Sequence, residues 1–261
     1  MGLFSRIIAE IETLYYAKKY QSQKDKIREM DIALWSKIPT PQIGPYIPHP
    51  NYTNHLNTCK NNFISYAKKD MANDNDKTWG IGDSILAQCR DRIDSIKPKM
   101  NHALGGAWSH HMLQLVNDLE PLFKQYNYIP KNIVIGTPNG NAILVHQEIN
   151  SVNEQCIILL NRIRELYPQA RIILYGLPAT LISYAILNFT AYDTNLIKWV
   201  LNDSNSVFLP LIKNFIEKNH ILPKSDMNSD GVHMTPKGMI LFGKLIQKGK
   251  SGLPKRFINN G

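Results

Sequence analysis

A chain of 261 residues is long enough to bury a substantial core as one domain of moderate size plus an extension. Its 43% apolar and 20% charged residues are those of a globular protein, and no apolar run approaches the ~18 residues of a membrane span. The net charge of +9 suits an anionic partner, but the lysines are scattered, and only Lys248, Lys250, Lys255 and Arg256 form a basic tail. No zinc finger or RNP-type aromatic motif accompanies that charge, so it reads as solubility and no nucleic-acid partner is expected.

Residues 3–34 carry helical periodicity, with Leu3, Ile7, Ile8, Ile11, Leu14 and Tyr15 on one face. Glu10 and Glu12 interrupt the apolar part, and no small-residue cleavage site follows, which argues against a signal peptide. Arg6 stands where a myristoylation signal has Ser or Thr. A cytoplasmic location is therefore expected, with release by another route left open. The stretch KIPTPQIGPYIPHP places five prolines within residues 39–50 and excludes a regular helix there. Residues 1–75 thus read as a helical and proline-rich extension, either an arm that wraps the domain or a contact with a second copy in a homo-oligomer.

From Lys77 the pattern alternates short apolar runs with longer helical ones. TWGIGD reads as a strand, and 84–96 as a helix with Ile85, Leu86, Cys89, Ile93 and Ile96 facing in. KMNHAL reads as a second strand before a helix from Ala107 to Tyr126. NIVIGT is a third strand, 151–167 a long helix, and ARIILYGLP a fourth strand. Residues 180–221 read as helices with loops. The last helix starts at Thr235-Pro236, an N-cap followed by proline at the first helical position. Strands alternating with such helices predict a parallel sheet covered on both faces, with ligands at the carboxyl ends of the strands. Cys59, Cys89 and Cys156 lie far apart with no CxxC pair, so neither a disulfide framework nor a zinc site is expected.

Ser84 lies at the carboxyl end of the first strand, in Gly82-Asp83-Ser84. Asp and Ser both favour helix N-termini, so the triplet could simply cap the next helix. A nucleophilic serine also needs a base, a group that orients the base, and donors for the oxyanion. Asp230 and His233, three apart in a glycine-containing loop before the last helix, could supply the first two. A carboxylate in the same loop can fix the imidazole tautomer and stabilise the imidazolium formed when the serine proton is taken. Alone, the pair reads equally well as a turn cap and a surface histidine.

Other signals are weaker. No Gly-x-Ser-x-Gly elbow, HExxH or phosphate-binding glycine loop is present. His110 and His111 read as surface or packed helix residues, Trp79 and Trp108 as core. His102 and His146 could line the mouth of a cleft.

Together, Gly82-Asp83-Ser84, NHALGGAW and Asp230-x-x-His233 followed by MTPKG resemble the SGNH (GDSL-type) hydrolases over roughly residues 79–248. The resemblance implies a three-layer α/β/α, flavodoxin-like sandwich with a parallel sheet of about five strands. It would span a domain at 76–250, flanked by the extension (1–75) and a basic tail (251–261). It implies Ser84 as nucleophile, His233 as base, Asp230 as its orienting acid, and the Ser84 and Gly106 backbone N–H groups as oxyanion donors. The third block departs from the family's Gly-x-Asn-Asp. Ungapped counting from Asn132 through IVIGTPNGNAIL puts Asn141 in the donor position and Ala142 where a second acid would stand. One inserted residue would select Asn139 instead. Asn141 is preferred because it needs no insertion, and the same stretch also reads as a turn.

The implied activity is ester hydrolysis through an acyl-serine intermediate, by an esterase, lipase or carbohydrate O-deacetylase. No metal or organic cofactor is required. The substrate would be a small-molecule or glycan ester. The alternative is an SGNH-fold binding or scaffold protein without turnover, which the missing second acid at Ala142 would suit.

Overall fold

Four short apolar runs, Thr78–Ile81 (β1), Asn132–Ile135 (β2), Arg171–Tyr175 (β3) and Ser206–Leu209 (β4), form one parallel sheet in the order β1-β2-β3-β4. Nearly every strand residue is buried, as in a parallel sheet covered on both faces. The computed structural model describes residues 49–136, 149–176, 193, 195–209, 211 and 233–251.

Alternation along the strands sends successive residues to opposite faces, so register partners share one. Trp79, Ile133 and Ile172 share one face, where the Trp79 ring meets Phe123 of helix α3 (Ser109–Gln125) at a centroid distance of 4.9 Å. Gly80, Val134, Ile173 and Val207 share the other. Gly249 of helix α5 (Pro236–Lys250) lies so close there that an added Cβ would touch Ile173 at 3.1 Å and Val207 at 3.5 Å. Helix α4 (Ile149–Leu166) packs beside α3. The architecture is three-layered, α/β/α, as expected.

Several elements differ from the sequence expectation. The helix expected over 84–96 ends early: α2 spans Ser84–Gln88, and turns follow. Its five inward-facing residues are buried all the same. KMNHAL forms a 3-10 turn over Pro98–Met100 and then a single bridge, Asn101 to Gly80. The segment still runs beside β1, because His102 N–H donates to the Gly80 carbonyl (2.7 Å) and Leu104 N–H to the Gly82 carbonyl (2.8 Å). The Asn101 side chain breaks the ladder by donating to the Leu86 carbonyl at 2.8 Å and accepting from Ala103 N–H at 3.3 Å. Within the span read as helices and loops, residues 195–202 are helical, but 206–209 are β4.

Helix α1 (Tyr52–Lys69) falls within the segment read as an extension, yet Cys59, Phe63 and Tyr66, spaced four and three apart, are buried in the core. Phe63 stacks on Phe123 at 4.4 Å, and Tyr66 donates its hydroxyl to Asp74 at 2.8 Å. The helical reading of residues 3–34 and most of the proline run lie outside the described residues. None of the three cysteines is in a disulfide, and burial pushes the Cys59 and Cys89 thiols up to about 12. No helix among the described residues is long and apolar enough to cross a membrane.

Candidate active site

At the end of β1 the chain turns sharply through Gly82 and Asp83 into α2. Asp83 is the N-cap: its Oδ1 accepts the Ile85 N–H at 3.0 Å, and its carbonyl accepts Ala87 N–H. The Asp83 carboxyl is buried, and desolvation pushes it up to about 7 despite the Ile85 N–H and the nearby His233. Ser84 follows as the first helical residue and stays partly exposed. Gly82 and Gly136, at the ends of β1 and β2, lie against each other. A Cβ on Gly82 would come within 2.9 Å of the Gly136 Cα, so glycine is needed for this approach.

His233 comes from the far end of the chain. Met234 beside it is buried, and Thr235 caps α5 by accepting Gly238 N–H at 3.3 Å, with Pro236 at the first helical position. These anchors hold the histidine at the strand ends, where its Nε2 lies 3.0 Å from Ser84 Oγ. A neutral ring protonated at Nδ1 accepts the serine hydroxyl proton in this geometry. Residues 149 apart in sequence thus share a hydrogen bond, and both are reachable from solvent.

Gly106 lies in a turn over Leu104–Ala107, closed by Ala107 N–H on the Leu104 carbonyl at 3.1 Å. Its φ of +78° at the third position is that of a type II turn, which glycine adopts without strain. An ideal Cβ on Gly105 would lie 3.8 Å from Ser84 Cβ, so the turn borders the serine. Asp230, Asn139, Asn141, Ala142 and His146 lie outside the described residues.

Among the described residues, His102, His110 and His111 serve the packing of the domain. His102, read as a cleft-mouth residue, is instead fully buried: Trp79 Nε1–H donates to its Nδ1 at 3.1 Å, and its Nε2 donates to the Lys99 carbonyl at 3.0 Å. His111 Nδ1 accepts the Trp108 N–H at 2.9 Å at the start of α3, with His110 packed against it. Trp79 is core as expected, and Trp108 is partly buried and packs against the edge of the core. His49, which carries no motif, donates from Nε2 to the Gly105 carbonyl at 2.9 Å. Only the folded chain brings it there. Among the described residues no group of three or more His, Cys, Asp or Glu could hold a metal ion.

The chain matches no protein-family model and no curated protein. Solved structures do match. A GDSL-like lipase from Bacteroides thetaiotaomicron superposes with a TM-score of 0.54 at 17% identity, covering 74% of this chain and 98% of that one. The chain has the SGNH-hydrolase fold. A candidate acylhydrolase from Bacteroides fragilis shares this SGNH fold (TM-score 0.55, 19% identity, 72% of this chain and 95% of that one). So does a candidate platelet activating factor from Streptococcus pneumonia (0.57, 12%, 76% and 94%). In the SGNH fold as it occurs here, Ser84, His233 and the Gly105–Gly106 turn all meet at the carboxyl end of β1.

Proposed function

We propose that the protein is a serine-dependent ester hydrolase. The observation that carries the reading is the 3.0 Å approach of His233 Nε2 to Ser84 Oγ at the carboxyl edge of the sheet. The SGNH fold and the GDSL-like lipase among its structural relatives support it.

Ser84 Oγ attacks the ester carbonyl carbon while its proton passes to His233 Nε2. The Ser84 and Gly106 backbone N–H groups and the Asn141 side chain, or Asn139 in its place, receive the oxyanion. Removing one such donor typically costs about 3 kcal/mol of barrier stabilisation. Collapse breaks the bond to the alcohol oxygen, which takes the proton from His233, and leaves acyl-Ser84. Water then attacks the acyl carbon, giving its proton to His233. The second collapse returns that proton to Ser84 and releases the acid. Asp230 orients His233 and stabilises its protonated form. The start of α2 adds a favourable field for the negative charge beside Ser84. Small-molecule esters, acylated lipids and O-acetylated glycans are the substrate classes this chemistry serves.

Turnover of p-nitrophenyl esters from acetate to palmitate tests the activity and reads the preferred acyl length. Hydrolysis by the wild type that is lost in folded Ser84→Ala supports the proposal. A folded wild type without turnover on the whole series and without covalent labelling by a fluorophosphonate would make it a binding protein on a hydrolase fold.

A further inference from the structure

The peptide between Gly105 and Gly106 is the central peptide of the Leu104–Ala107 turn. In such turns this unit can flip by about half a rotation, exchanging type I for type II geometry and reversing both its carbonyl and its N–H. Steric bias would normally come from side chains, but both central residues are glycine, so the chain itself sets little preference. Here Gly106 sits at φ +78°, the type II form. The contact that selects this form comes from outside the turn: His49 Nε2 donates to the Gly105 carbonyl at 2.9 Å.

The His49 tautomer follows from its neighbours. Its Nδ1 accepts the Asn51 N–H at 3.2 Å, so the ring proton sits on Nε2, facing the carbonyl. The ring stands edge-on to His111, with centroids 5.3 Å apart and planes at 85°. The residue is tied to the start of α1, where Tyr52 N–H donates to its carbonyl at 3.0 Å. Three residues further along, within the first turn of α1, His55 Nε2 donates to the His102 carbonyl at 3.0 Å. The start of α1 and the residue just ahead of it therefore fasten the backbone that borders the serine at two carbonyls, of residues 102 and 105. A Cβ on Gly106 would sit 3.4 Å from His49 Nε2, so the imidazole also closes the space behind the turn.

We infer that His49 is a positioning residue for ester hydrolysis, holding the Gly105–Gly106 peptide in the orientation that turns the Gly106 N–H toward the oxyanion beside Ser84. In a trans peptide the carbonyl and N–H point opposite ways, so a donor fixed on the Gly105 oxygen fixes the Gly106 N–H on the other side. The bond also polarises the peptide and strengthens its N–H as a donor. This role rests on the proposed serine hydrolase mechanism and on Gly106 as an oxyanion donor. It assigns α1 and the chain leading into it a part in catalysis as well as in packing.

The test compares wild type, His49→Ala and His49→Gln in the full chain, with p-nitrophenyl acetate as substrate and Ser84→Ala as reference. His49→Ala should lower kcat by about tenfold or more, leave KM within about twofold, and leave Tm near the wild type, because a misoriented oxyanion donor harms the transition state and not ground-state binding. His49→Gln keeps an N–H donor at similar reach and should recover most of the lost kcat. Wild-type kcat in His49→Ala, alongside an inactive Ser84→Ala, overturns the role of His49 and leaves the serine mechanism standing. Equal losses in both His49 variants that track a lowered Tm make the residue purely structural and also overturn it. An unlabelled, inactive wild type overturns the serine mechanism itself.

Discussion

Trp79 donates its indole N–H to His102 Nδ1 across 3.1 Å, in the buried wall behind the candidate site. The other ring nitrogen donates to the Lys99 carbonyl, so both sites of the neutral imidazole are used and a second proton has no place. Burial holds His102 far below an ordinary histidine, at about 3. The unfolded chain binds a proton below about 6.5 that the native chain refuses, so stability is lost as pH falls from about 6.5 toward 3. Within that window the slope from this group is about 1.4 kcal/mol per pH unit. Urea unfolding at pH 7, 6, 5 and 4 should show His102→Gln less stable at pH 7 but with a shallower acid loss than the wild type. Parallel curves would contradict the neutral, locked imidazole.

Asp83 acts with the opposite sign. Burial raises its carboxyl to about 7, so between about 4 and 7 the native chain holds a proton that the unfolded chain releases. Its contribution to stability therefore falls as pH rises through that window. Asp83→Asn keeps a carbonyl oxygen for the Ile85 N–H and cannot ionise. The difference in unfolding free energy, variant minus wild type, should grow more favourable to the variant from pH 4 to pH 7. A difference that is flat or moves the other way would show that Asp83 ionises in the native protein as it does in the unfolded chain.

How much of this was legible in the sequence depends on the range of the interactions involved. TWGI, NIVI and RIILY are strands because each is a brief apolar run between turn-forming residues, a local signal. Ser206–Leu209 carries the same kind of run but lies in a segment with helical stretches, where four residues do not separate strand from helix. The bridge at Asn101 depends on where the Asn101 side chain finds partners, which periodicity does not reveal. Ser84 and His233 were legible as motif residues, and the fold brings them together across the whole domain. His49 was not, because its partner is a backbone carbonyl 56 residues away, and a carbonyl leaves no trace in sequence.

Asp230→Asn should lower kcat on p-nitrophenyl acetate at least about a hundredfold and leave KM nearly unchanged. The amide keeps the shape but loses the charge that stabilises the His233 imidazolium and sets its tautomer. Unchanged kcat with a raised KM would assign Asp230 to substrate binding instead.

Asn141 and Asn139 separate by the same logic. An oxyanion donor strengthens its hold only as negative charge develops, so Asn141→Ala should lower kcat about a hundredfold or more with little change in KM. Asn139→Ala should chiefly lower Tm, by loss of a turn residue. The reverse pattern would place an inserted residue before the third block and make Asn139 the donor.

The central claim is that Ser84, activated by His233, attacks an acyl carbon. Peptide mass mapping after treatment with a fluorophosphonate tests it most directly, because the probe traps an activated serine whatever the natural ester. The account predicts one adduct per chain, on Ser84, absent from folded Ser84→Ala and formed at least about a hundredfold more slowly in folded His233→Ala. A folded wild type that takes up no probe, or carries it on another residue, would contradict the account.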